Sequence, residues 1–105
     1  MAFIVIWTQM AEDGLSALSP DEARRVIENI ENIKEDPFRH VKRMKGYHLF
    51  IRRVGKYRVL LDIQNGEMKI LVLKVGKRSN VYDENRMHFH WRQVKTAIAI
   101  LHTLP

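Results

Sequence analysis

The chain contains no cysteine, which excludes a disulfide framework and any thiolate metal site. It also has no apolar run of the length that crosses a membrane. The opening "MAFIVIW" is seven residues long. No basic segment precedes it and no small-residue cleavage site follows, so it predicts a strand and not a signal peptide. Proline occurs three times and glycine five times in 105 residues. No window has the polar, low-complexity composition of a disordered segment or linker, and no internal repeat is present. What remains is one folded domain of ordinary size. A reducing, cytoplasmic location is expected, with no membrane association.

Several chemistries are missing as well. No serine-nucleophile motif, no glycine-rich phosphate loop and no carboxylate pair for acid–base work is present; "GKRS" at residues 76–79 lacks the spacing of a P-loop. His88 and His90 stand two apart, but where a helix is predicted and with no acidic or cysteine cluster beside them, while His40, His48 and His102 are scattered. No metal site and no cofactor is expected.

Charge is what the chain does have, and it is unevenly spread. Residues 1–38 carry a balance of −5 and residues 39–83 a balance of +9, within a net +6. A basic block of this size beside an acidic one is the electrostatic footprint of a phosphate-rich partner; the plainer alternative is a solvated basic surface.

Apolar periodicity orders the chain. Phe3–Trp7 predicts a strand, and Gln9–Leu18 a short helix weakened by Gly14. Ser19 caps a second helix with Pro20 at its first position and Glu22 three after the cap; Ala23, Val26, Ile27, Ile30 and Ile33 mark one face, and Pro37 stops it. After a basic connector ending at Gly46, strands are predicted at Tyr47–Val54, Tyr57–Ile63 and Met68–Val75, with tight turns at Gly55-Lys56 and Asn65-Gly66. The expected fold is α+β: an N-terminal strand and a two-helix hairpin covering a three-stranded antiparallel meander, in a domain of residues 1–83. Residues 84–105 follow as an amphipathic helical tail, with Met87, Trp91, Val94, Ile98 and Leu101 at helical intervals.

Strand alternation puts Tyr57, Val59, Leu61 and Ile63 on one face of the middle strand and Arg58, Leu60 and Asp62 on the other. Arg53 then lies beside Arg58 across the turn. Lys77 and Arg78 lie just past the end of the last strand, and Tyr82 follows in a short loop. Guanidiniums held on strands bind phosphate oxygens bidentately; ordinary pairing with nearby carboxylates is the alternative for any one of them. Lys45, Arg52, Arg53, Lys56, Lys74 and Lys77 are the candidate RNA-binding residues, and Arg58, Arg78 and Tyr82 the candidate catalytic ones. An enzyme restricted to Arg, Lys and Tyr suits cleavage of RNA, which brings its own nucleophile in the 2′-hydroxyl.

The pair "RRVGKYRVLLDI" and "ILVLKVGKRSNVY", with "MKG" ahead of them, resembles the RelE/ParE toxin superfamily, and the RelE branch most closely, over residues 3–83. That resemblance implies a type II toxin that cuts messenger RNA in the ribosomal A site without a metal ion and leaves a 2′,3′-cyclic phosphate. It also implies a RelB-like antitoxin as partner in a hetero-oligomer, besides the ribosome and its mRNA. Arg58, Arg78 and Tyr82 match the family's functional arginines and tyrosine, and Arg53 a basic position before the turn. The chain departs from better-known RelE toxins at Leu49 and Ile51, where those place lysines; Lys45, Arg52 or His48 are the replacements at hand. A ParE-like toxin that binds DNA gyrase without catalysis is the second reading, and a degenerate member that only binds antitoxin or RNA the third.

Overall fold

A computed structural model describes residues 2–77 of the chain. Arg78, Tyr82 and the tail helix expected at residues 84–105 lie outside the described residues. Strand β1 (Ile4–Trp7) leads into helices α1 (Gln9–Ser16) and α2 (Pro20–Asn32). A single 3₁₀ turn (Pro37–Arg39) then precedes β2 (Lys42–Arg43), β3 (Phe50–Val54), β4 (Tyr57–Gln64) and β5 (Lys69–Lys77). The fold is α+β, as the residue pattern predicts. The sheet has five strands in the order β1-β5-β4-β3-β2, with β1 parallel to β5 and every other pair antiparallel. The expected meander is therefore β3-β4-β5, flanked by β1 on one edge and a two-residue β2 on the other. Periodicity does not reveal β2, because "KR" has no apolar alternation to show.

Local chemistry sets the element ends. Ser19 caps α2 by accepting from the Glu22 N–H at 3.3 Å, while its hydroxyl donates to Glu22 Oε1 at 3.0 Å. Thr8 caps α1, accepting from the Ala11 N–H at 3.2 Å. The same hydroxyl donates to the Val72 carbonyl at 2.8 Å and approaches that of Leu73 at 3.2 Å. Those carbonyls sit at a β-bulge, since Leu61 pairs with Val72 but Leu60 with Lys74, leaving Leu73 as the extra residue. One threonine thus ends β1, starts α1 and satisfies the irregular stretch of β5.

The turns differ from one another. Gly55 has φ +57°, as the first position of a two-residue II′ hairpin turn requires. At the next hairpin Asn65-Gly66 does not form a two-residue turn. Gln64 pairs with Lys69 across a four-residue loop, and Met68, not Gly66, takes the left-handed backbone at φ 55°.

Two apolar layers sandwich the sheet. On the helix side Val26 and Ile30 of α2 and Ile33 just past its end pack with Val59, Leu61, Ile70 and Val72. On the opposite side Met44, Leu49, Ile51, Leu60, Leu71 and Leu73 form a second cluster. The face that alternation assigned to Arg58, Leu60 and Asp62 is therefore buried at its centre as well: Leu60 is 1% exposed and Arg58 only 8%. The run "VLL" in β4 carries apolar side chains to both layers, so simple two-sided alternation understates it.

Gly14, which weakens α1 by propensity, is explained by packing. A Cβ there would lie 2.4 Å from the Val75 carbonyl oxygen, a backbone atom of β5. Gly14→Ala should gain about 1 kcal/mol of helix propensity and lose about 1–3 kcal/mol by overpacking. A lower urea midpoint at unchanged slope is the expected result; a higher one would mean that α1 does not seat this closely.

Candidate functional site

The strand register builds a cationic strip on the face away from α2. Arg53 stands directly opposite Arg58, and Arg58 opposite Gly76. In the next row Lys42 is opposite Ile51, Ile51 opposite Leu60, and Leu60 opposite Lys74. Directly opposed residues have Cβ atoms about 5 Å apart, and like charges placed so cost roughly 0.2–1 kcal/mol. Two arginines thus stand side by side on neighbouring strands, with lysines at both ends of an apolar row. Such an arrangement can grip an anion from several directions and supply positive charge where negative charge accumulates.

The other cations nominated by sequence do not join this strip. Arg52 is opposite Val59 and so belongs to the helix side. Its Nε donates to Asn29 Oδ1 at 2.8 Å and its Nη1 to the His40 carbonyl at 2.9 Å. Lys56 turns to the same side, with Nζ 3.7 Å from Glu22 Oε2 and 5.5 Å from the centre of the Tyr57 ring. Lys77 is opposite Tyr57 at the end of β5, also with helix-side parity. Lys45 lies in the loop after β2. Lys42 is the residue that sequence reasoning missed, because its strand was read as connector.

A second polar cluster joins α2 to the β3–β4 turn. Tyr57 donates its hydroxyl to Glu22 Oε2, and a cavity of about 360 Å³ opens beside them between Asp21, Arg25, Val54 and Lys56. The Tyr57 hydroxyl, then that of Ser19, hold the Glu22 carboxyl below its ordinary 4.5; partial burial opposes them and the Lys56 charge adds. Tyr57 is raised above its ordinary 10.0, first by that hydrogen bond, then by burial and the Glu22 charge. No sequence signal links the two residues, which lie 35 apart.

Comparison with known proteins now bears on this geometry. A family profile described as "ParE toxin of type II toxin-antitoxin system, parDE" matches residues 5–82. The chain belongs to this toxin family. Its solved neighbours carry the RelE name and place it in the wider RelE/ParE superfamily. It is 27% identical to a chain of the RelBE2 toxin–antitoxin complex of Mycobacterium tuberculosis, with a TM-score of 0.67 over 74% of this chain and 100% of that one. A chain of the archaeal RelE–RelB complex of Pyrococcus horikoshii is 23% identical, at a TM-score of 0.66 over 77% and 100%. A mutant of the E. coli toxin RelE in the free state shares the fold at 15% identity, with a TM-score of 0.66 over 99% and 100%. None of the curated proteins matches the chain. The family match spans the α2–β4 tie and the arginine strip alike, so both belong to the toxin domain.

The Tyr57–Glu22 tie has a defined pH window in this toxin. The depressed Glu22 contributes stability that is present above 4.5 and lost as pH falls through its folded value. The raised Tyr57 contributes stability that is present below 10.0 and lost as pH rises through its folded value. Tyr57→Phe should therefore melt below the parent protein through the neutral range, and the gap should close in acid. A gap of the same size in acid would show that Glu22 is not what Tyr57 holds.

Proposed function

We propose that this RelE/ParE-family toxin is a ribosome-dependent endoribonuclease acting on messenger RNA in the cytoplasm. The observation that carries the reading is the side-by-side placement of Arg53 and Arg58 on rigid strands, flanked by Lys42 and Lys74 on the same face. In the reaction the RNA 2′-oxygen forms a bond to the adjacent phosphorus, and the bond from phosphorus to the 5′-oxygen breaks. The 2′-proton leaves to a base, the departing 5′-oxygen takes up a proton, and a 2′,3′-cyclic phosphate remains.

Arg58, nearly buried and fixed on the central strand, is assigned to stabilise the pentacoordinate phosphorus. An arginine stays protonated and so serves as a fixed charge, not a proton donor. Arg53 anchors a neighbouring phosphate oxygen. Arg78 as a second charge stabiliser and Tyr82 as the group that positions or deprotonates the 2′-hydroxyl complete the set in this reading. Arg52 and Lys56 are left to the helix contacts. Ile51, at a position where the resemblance to RelE leads one to look for lysine, is flanked in its own row by Lys42, which becomes the strand cation of this chain. A RelB-like antitoxin is the proposed partner. It should be acidic where it covers the Arg53–Arg58 pair, because desolvating guanidiniums without counter-charge is costly.

Arg58→Ala should lower the cleavage rate of ribosome-bound message on the order of 10²-fold, as loss of one preorganised donor does. Message carrying a 2′-deoxy sugar at the cut site should resist cleavage. Cleavage of the deoxy message would overturn the mechanism. The second reading, a gyrase-binding toxin without catalysis, is favoured by the family profile, whose description names ParE. Growth arrest that persists in Arg58→Ala with no RNA cut would decide for it.

A further inference from the structure

The loop between β2 and β3 holds cations that the arginine strip does not use. Met44 and Tyr47 pack against the cluster of Leu49, Ile51 and Leu60, which places the loop at the border of the Arg58 face. The loop is held by two backbone bonds, Met44 N–H to the Leu49 carbonyl at 2.8 Å and Tyr47 N–H to the Met44 carbonyl at 3.3 Å. A cavity of about 250 Å³ opens among Arg43, Met44, Lys45, Gly46, Tyr47 and His48, and no carboxylate lines it. Elsewhere on the surface Lys34, Arg39, Lys56 and Lys69 each face a carboxylate. Among the described residues neither Arg43 nor Lys45 makes an ion pair.

Arg43 Nη2 lies 3.0 Å from His48 Nδ1. A guanidinium can only donate, so His48 accepts there and carries its proton on Nε2. The bond holds both side chains at one mouth and leaves the remaining guanidinium N–H groups and the imidazole N–H to donate outward, beside the Lys45 ammonium.

We propose that this loop is a second phosphate-binding site, in which Arg43, Lys45 and His48 hold an RNA phosphodiester remote from the Arg53–Arg58 pair. Strand β3 separates the two sites: Phe50 to Arg53 alone covers roughly 10 Å at about 3.4 Å per residue, and Arg43, opposite Phe50, leaves the edge strand β2 with helix-side parity. A few nucleotides of extended backbone that pass round the β2 edge bridge that gap. The loop therefore sets affinity and register along the strand while the arginine pair faces another phosphate. The proposal deepens the nuclease reading and rests on its substrate class, RNA, but not on cleavage.

The test uses the full chain with a short single-stranded RNA made uncleavable by 2′-O-methyl sugars. Affinity is measured across a salt series, alongside amide shifts on titration with inorganic phosphate. Arg43→Ala/Lys45→Ala alters exposed side chains only, and an unchanged melting temperature checks its fold. The variant should bind the RNA roughly tenfold more weakly, the equivalent of one charge-assisted hydrogen bond. Its log–log salt slope should fall by about 1, as for one lost phosphate contact. The parent protein should show phosphate-dependent shifts at Lys45–His48 that the variant lacks. Unchanged affinity and slope overturn the proposal, even if free phosphate moves those amides, since the loop would then be an adventitious ion site only. Loop-dependent RNA binding by a protein that never cuts message on ribosomes would instead overturn the nuclease reading and leave the phosphate site standing.

Discussion

Burial of β4 on both faces is the constraint on which the rest of the molecule depends. Val59 and Leu61 reach the α2 layer while Leu60 reaches the cluster of Ile51, Leu71 and Leu73. A strand packed on both sides cannot slip its register, because a one-residue shift would exchange the two layers. That rigidity is inherited by Arg58, which sits between Tyr57 and Val59 in the same strand. The guanidinium is positioned by the core and not by a loop.

Parity along β3 and β4 separates two jobs that composition alone would merge. Arg52 and Arg53 are adjacent and chemically identical, yet Arg52 joins Asn29 and the His40 carbonyl while Arg53 stands across from Arg58. Lys56 and Tyr57 likewise serve the junction with Glu22. The basic block is therefore two populations, one binding the helix layer to the sheet and one arrayed on the opposite face. The tie between α2 and the β3–β4 turn holds the hairpin from which Arg53 and Arg58 project.

Much of this was legible in the residues. Capping by Ser19, Pro20 and Glu22 and the hairpin at Gly55 follow from short-range rules, and each forms; of the apolar stripe, Val26, Ile30 and Ile33 are buried while Ile27 stays exposed. The pairing of Arg53 with Arg58 follows from a two-residue turn and strand alternation. What could not be read depends on contacts distant in sequence. The bulge at Leu73 is visible only once β4 and β5 are paired, and Thr8 meets those carbonyls across 64 residues. Strand β2 is two residues long and polar, so Lys42 gave no periodic signal. Asn65-Gly66 misled because the β4–β5 register, fixed further along by core packing, leaves four residues for the loop and puts the left-handed residue at Met68. Which face Arg52 and Lys56 take is likewise hidden in the sequence, because charge reads as one property until the layers are known.

The charge division of the chain also becomes a direction in space. Among the described residues the acidic side chains of the first block lie on α1, α2 and the segment after α2, whereas residues 39–77 form β2 to β5 and their connections. Charge of opposite sign thus gathers on the helix layer and on the sheet, and the described fold is an electric dipole with its positive pole toward the sheet. In the field of a polyanion such a body is turned before it touches, so the helices trail and the sheet arrives first. Orientation of the encounter is then a property of the whole fold, paid out over a distance of about one Debye length, roughly 8 Å at physiological ionic strength.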